Sequence, residues 1–170
     1  MAKIFLISSK TLKTDGLIND NVGDEMLKPA IQEAQDIFLQ QIIGTKLMNK
    51  VCDMVADGSI EQDSDYKLLL DEYITPYLNF KVMSSIQIPL AYKMRNLGIV
   101  QSNDTNIYNV NMNDVKALIE HYDNRAGFYS IRMTKFLAAN TNKYPEYMST
   151  DSCADFRCNK NTFECPVFLS

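Results

Sequence analysis

From residue 113 to residue 139, apolar side chains return every three or four positions: Val115, Leu118, Ile119, Tyr122, Ala126, Tyr129, Met133, Phe136 and Leu137. That is the period of an α-helix with one buried face, sustained for about six turns. Asn111 or Asn113 stands where such a helix needs a side-chain cap. A stripe of this length has to be covered by other helices, which makes the architecture mainly α.

The partners are legible upstream. Leu27, Ala30, Ile31, Ala34, Ile37, Phe38 and Ile42 form a second stripe that stops at Gly44, a residue suited to a helix C-terminus. Pro29 predicts that this helix begins close to it, because proline is tolerated only in a first turn. Thr45 is placed to cap a short helix with the stripe Leu47, Val51, Met54 and Val55, ending at Gly58. The acidic stretch Ser59 to Asp65 reads as a loop, and Ser64 or Asp65 as the cap of a helix over 66–87. Pro76 predicts a kink in that helix and Pro89 a break, followed by a further helical stretch from Leu90 to Leu97.

Then the period changes. Ile99, Val100, Ile107, Tyr108 and Val110 flank the turn formers Ser102-Asn103-Asp104, the pattern of a β-hairpin. Lys3 to Asp20 read as an arm and a loop, and after Asn140 no period remains. The expected fold is therefore four to five helices with one inserted β-hairpin and an extended C-terminal tail. Residues 1–147 form the helical domain and 148–170 the tail. The tail carries Phe156, Phe163, Val167, Phe168 and Leu169, more apolar anchors than a solvated segment needs.

Charge narrows the function classes. The 170 residues carry a net charge of −4, which argues against a dedicated nucleic-acid binder. From Val51 to Thr75 there are seven acids (Asp53, Asp57, Glu61, Asp63, Asp65, Asp71, Glu72) against one base, whereas Ala91 to Lys143 holds seven bases and four acids. Opposite charge at two places on one surface allows copies to pair head-to-tail. The six glycines are scattered singly, leaving no phosphate loop and no dinucleotide fingerprint. Neither a cleavable leader nor an apolar run long enough to cross a membrane is expected, and the four cysteines are expected to be reduced thiols of a cytosolic protein.

Few residues offer chemistry. Cys153, Cys158 and Cys165 are too loosely spaced for a structural zinc site, and a fourth ligand would have to be Cys52 or His121. His121, the single histidine, has no nucleophile and orienting acid at recognisable spacing. Asp53 and Asp57 share a helix face without further ligands. No catalytic residue, metal or cofactor is assigned. What stands out is organisational: a hairpin and an apolar tail of the kind that join subunits by strand addition.

Residues 6–51, with IQEAQDIFLQQIIG (31–44) followed by TKLMNKV (45–51), resemble the start of head-tail connector (adaptor) proteins of tailed bacteriophages. The continuation LLLDEYITPYLNFKVMSSIQIPLAYKMRNLGIVQSND (68–104) is similar to the variants of crAss-like phages, and the resemblance extends over residues 6–147. It implies a twelve-subunit ring beneath the portal protein, in the neck of a virion built in the bacterial cytoplasm. That ring would extend the channel for genomic DNA without binding it specifically and would receive the next tail component.

Under that resemblance the hairpin residues Ile99, Val100, Ile107, Tyr108 and Val110, and the tail residues Phe156, Phe163, Val167, Phe168 and Leu169, are candidate subunit contacts. Asp53, Asp57, Glu61, Asp63 and Asp65 are candidates for the channel lining or rim. The alternative is a small soluble metal-binding or enzymatic protein that uses the C-terminal cysteines and His121.

Overall fold

The computed structural model describes residues 4–14, 18–19, 21–95, 98–101 and 111–148. Within them the chain is mainly helical, as the apolar period requires. The helices are α1 (Ser9–Thr14), α2 (Asp24–Glu33), α3 (Gln40–Ile43), α4 (Thr45–Ala56), α5 (Ser64–Leu69), α6 (Thr75–Ala91) and α7 (Met112–Ala139). Two π-helical stretches, Ala34–Leu39 and Leu70–Ile74, run α2 into α3 and α5 into α6. The described segments thus act as five rods around one apolar core.

Long-range packing centres on α6 and α7, which lie antiparallel. Tyr73, just before α6, stacks on Phe136 at 4.2 Å between ring centres; Phe80 stacks on Tyr129 at 5.5 Å; and Lys81 donates to Asp123 Oδ1 at 2.7 Å. Residue numbers rise along α6 as they fall along α7. Lys81 is only 15% exposed, and its ammonium also sits 3.9 Å from the centre of the Phe38 ring. One cation therefore joins three rods, with its charge met by Asp123 and a ring face.

The polypeptide departs from the sequence expectations at definite places. Residues 9–14 of the expected arm and loop form α1, because the Ser8 hydroxyl accepts from the Thr11 amide at 3.1 Å and Leu12 is fully buried. The arm before it enters the core through Leu6 and Ile7. It is held by the buried Gln35 amide, which accepts from Leu6 N at 2.8 Å and donates to Ile4 O at 3.2 Å. A side-chain amide there replaces a neighbouring strand.

α2 starts at Asp24, five residues before Pro29, since a proline this close to the start removes only one backbone bond. Ser59–Glu61 is a short 3₁₀ turn that buries Ile60, where a loop was expected. The cap of α5 is Asp63, neither Ser64 nor Asp65: its carboxylate accepts from Asp65 N at 3.0 Å and Tyr66 N at 3.2 Å.

Pro76 is accommodated without ending the rod. A proline cannot donate to the carbonyl four residues back, here that of Glu72, and its ring crowds that carbonyl. The π stretch ends just before it, and Arg132 Nη1 from α7 donates to Glu72 O at 3.3 Å. Pro89 lies within α6, which ends two residues later.

Tyr92–Arg95 form β1, so the helical stretch expected from Leu90 to Leu97 is corrected. β1 pairs antiparallel with β2 (Gly98–Gln101), in the register Lys93 opposite Val100 and Met94 opposite Ile99. The hairpin expected over Ile99 to Val110 is thus not seen. Its first strand pairs backward along the chain, and 102–110 lie outside the described residues.

Asn111 caps α7 by accepting from Asn113 N at 3.3 Å. Of the expected stripe, Leu118 is exposed and the others are buried or half-buried. Beyond α7 the chain turns back without helical period, as expected. Even so, Tyr144 and Tyr147, the latter in a second 3₁₀ turn (Pro145–Met148), are core residues.

Candidate interaction surface

α7 spans 28 residues yet buries only Val115, Ala126, Met133 and Leu137 fully. Its outer face carries two large apolar side chains, Phe128 at 63% and Ile131 at 59% exposure, less than a turn apart. Both lie on the side opposite the stripe, so the packing of the described residues leaves them in water. Beside them Phe80, His121, Asn124, Arg125, Phe128 and Tyr129 line an open groove of about 480 Å³ between α6 and α7.

The groove has a fixed floor. Phe80 and Tyr129 stack, Phe128 meets Tyr129 edge-on at 5.3 Å, and the Arg125 guanidinium sits 5.6 Å from the Phe80 ring centre. Aromatic faces with a cation at the rim suit a partner with an apolar knob and an acidic surround. Five of the six lining residues come from a single helix, which gives the surface the rigidity of α7.

His121 is exposed, edge-on to Tyr122 at 5.5 Å between ring centres. Cys52 is half-buried, and burial first, then the charge of Asp53, pushes its thiol up to about 11. A thiol so raised is protonated and unreactive at neutral pH. Among the described residues no three His, Cys, Asp or Glu side chains are grouped to hold a metal ion. Cys153, Cys158 and Cys165 lie outside the described residues.

The acids proposed for a channel rim do local structural work. Asp57 accepts from Ser59 N at 2.9 Å, and this contact with Ser59 holds its carboxyl below the usual range. Asp63 caps α5. Glu61 pairs with Lys67, whose ammonium it raises, and Asp65 accepts from Lys143 at 2.7 Å. Asp53 projects from α4, exposed.

Of the candidate subunit contacts, Ile99 and Val100 lie in β2. Ile107, Tyr108, Val110, Phe156, Phe163, Val167, Phe168 and Leu169 lie outside the described residues. Sequence reasoning missed Phe80, Arg125, Phe128 and Ile131. The available signal was Phe128 and Ile131 themselves, two large apolar residues off the stripe of an otherwise amphipathic helix.

The model of a family of unknown function (DUF6712) matches residues 39–157, more than half of the chain. The chain belongs to this family. The DUF6712 match takes in α4 to α7, the whole groove and the turn that seats Tyr144 and Tyr147, and it runs past residue 147. No curated protein and no solved structure matches the chain. Among the described residues no helix is long and apolar enough to cross a membrane.

Proposed function

We propose that this DUF6712 chain is a structural subunit that assembles with copies of itself. The resemblance carried by residues 6–147 supports reading that assembly as a connector ring in the neck of a tailed phage. The observation that carries self-assembly is the outer face of α7, where Phe128 and Ile131 stand exposed beside an aromatic groove. Exposed apolar patches of this kind mark protein contacts.

In this reading the segment from Ile99 to Val110 joins neighbouring subunits. The tail with Phe156, Phe163 and Val167 to Leu169 lies along a neighbour or another virion protein. The ring sits beneath the portal protein and receives the next tail component. Asp53, Asp57, Glu61, Asp63 and Asp65 keep the passage for DNA from being sticky, because carboxylates repel phosphate.

Light scattering and negative-stain microscopy of the purified chain test this: a closed ring of copies is the expected result. A monomer at every concentration, alone and with a portal protein, overturns it. Removing residues 149–170, which keeps Tyr144 and Tyr147, is expected to leave a folded monomer that assembles less well.

A further inference from the structure

The groove on α7 and the exposed face around α5 differ in chemical character. Leu68 is 44% exposed on α5. Around it stand Asp65 one turn earlier and the exposed Asp71 and Glu72 one turn later, with Glu61 on the preceding turn. Lys67, Lys143 and Arg132 pair with Glu61, Asp65 and Glu72, so four carboxylates stand against three cations and the excess is the one charge of Asp71. The face is an apolar knob with an acidic surround.

The outer face of α7 has the converse character. Phe128 and Ile131 are flanked along the helix by the exposed Arg125 and Lys135, while the nearby Asp123 is turned to Lys81. Glu120 lies at the far edge.

The two faces meet at one edge, where Arg132 of α7 pairs with Glu72, but their centres lie apart on one chain. Lys143 and Tyr144, beyond the C-terminus of α7, hold α5 through Asp65. Arg125 lies fourteen residues before the end of α7, roughly 20 Å along its axis at about 1.5 Å per residue.

We propose that the α6–α7 groove of one copy receives the Leu68 knob, with Asp71 and Glu72, from the next copy, leaving Glu61 and Asp65 outside the contact. The proposal rests on the self-assembly reading and names its surfaces. Because the two patches differ and their centres lie apart on one chain, the contact is head-to-tail, the kind that closes into a ring or runs on as a filament. Its charge complementarity makes it weaken as salt is raised.

The test uses two full-length variants, Phe128→Asp, which spoils the groove, and Leu68→Lys, which spoils the knob. Both sites are exposed, so circular dichroism should show wild-type folding; Ile131→Asp and Asp71→Lys are the second choices if either fails to fold. Each variant alone is expected to be monomeric in analytical ultracentrifugation. Their equimolar mixture is expected to form dimers, since each keeps the half the other has lost.

A mixture that stays monomeric, or a knob variant that assembles like wild type, overturns the head-to-tail contact while leaving self-assembly standing. A wild-type chain that never associates sinks the assembly reading and this contact together.

Discussion

Tyr144 is the side chain whose removal should cost this fold most for its distance from any helix. It is fully buried, packed edge-on against Tyr66 at 5.4 Å and tilted against Phe136 at 5.7 Å, and its hydroxyl donates to Asp65 O at 2.8 Å. Tyr144→Phe keeps both ring contacts and removes one hydrogen bond, a loss of about 0.5–1.5 kcal/mol. Tyr144→Ala also removes the ring and leaves a cavity, a loss of about 3–5 kcal/mol by analogy with buried aromatic truncations. For a chain of this length each kcal/mol moves the melting temperature by about 2–4 °C. The Phe variant should therefore melt a few degrees lower and the Ala variant on the order of 10 °C lower, measured by calorimetry or circular dichroism. If Tyr144→Ala stays within about 1 kcal/mol of wild type, the segment after α7 is not part of the core. If Phe costs as much as Ala, the hydrogen bond and not ring packing holds it.

Other consequences are equally direct. Gln35→Leu strips the two bonds that hold the N-terminal arm and strands the Leu6 amide and the Ile4 carbonyl, so about 2–4 kcal/mol should be lost; faster hydrogen exchange at Leu6 than in α7 is the expected signature. Arg132→Ala should destabilise the chain by about 1–2 kcal/mol, through the Glu72 carbonyl it serves and its stacking on Tyr73 at 4.6 Å. In a Pro76→Ala background that cost should shrink, because the backbone then supplies the missing N–H; an unchanged cost would show that Arg132 does not answer to Pro76. Burial first, then the charges of Asp65 and Asp63, push the Tyr144 phenol up to about 12, and burial with the Glu146 hydrogen bond raises Tyr66 as well. A phenol raised in the folded state holds its proton better there than in the unfolded chain, whose tyrosines titrate near about 10. Its contribution is whole below about pH 10 and is lost as pH rises through 10 towards 12. The urea midpoint of wild type should fall faster across that window than that of Tyr144→Phe, and parallel curves would refute the assignment.

How much of this was written in the chain differs from element to element. The stripe from Val115 to Leu137 was legible because a helix with one wet face imposes its period on composition, and α4 was legible for the same reason, although its N-cap is Gly44 and not the expected Thr45, which is the first residue of the helix. Asn111 was legible as a cap because a cap is a local bond. Where the deciding bond was not local, reading failed. α1 and the arm depend on Leu12 reaching the core and on Gln35 some thirty residues away. The continuity of α5 into α6 past Pro76 depends on Arg132, sixty residues later, supplying a donor. The strand Tyr92–Arg95 looked helical because a short apolar run does not distinguish the two states, and only its pairing with Gly98–Gln101 does. The candidate surface divides in the same way. Opposite charge on 51–75 and 91–143 was plain in the sequence. That Phe128 and Ile131 face away from the core was set by which side of α7 the neighbouring α6 covers, because period alone says how a helix divides its faces and only packing says which of them stays in water.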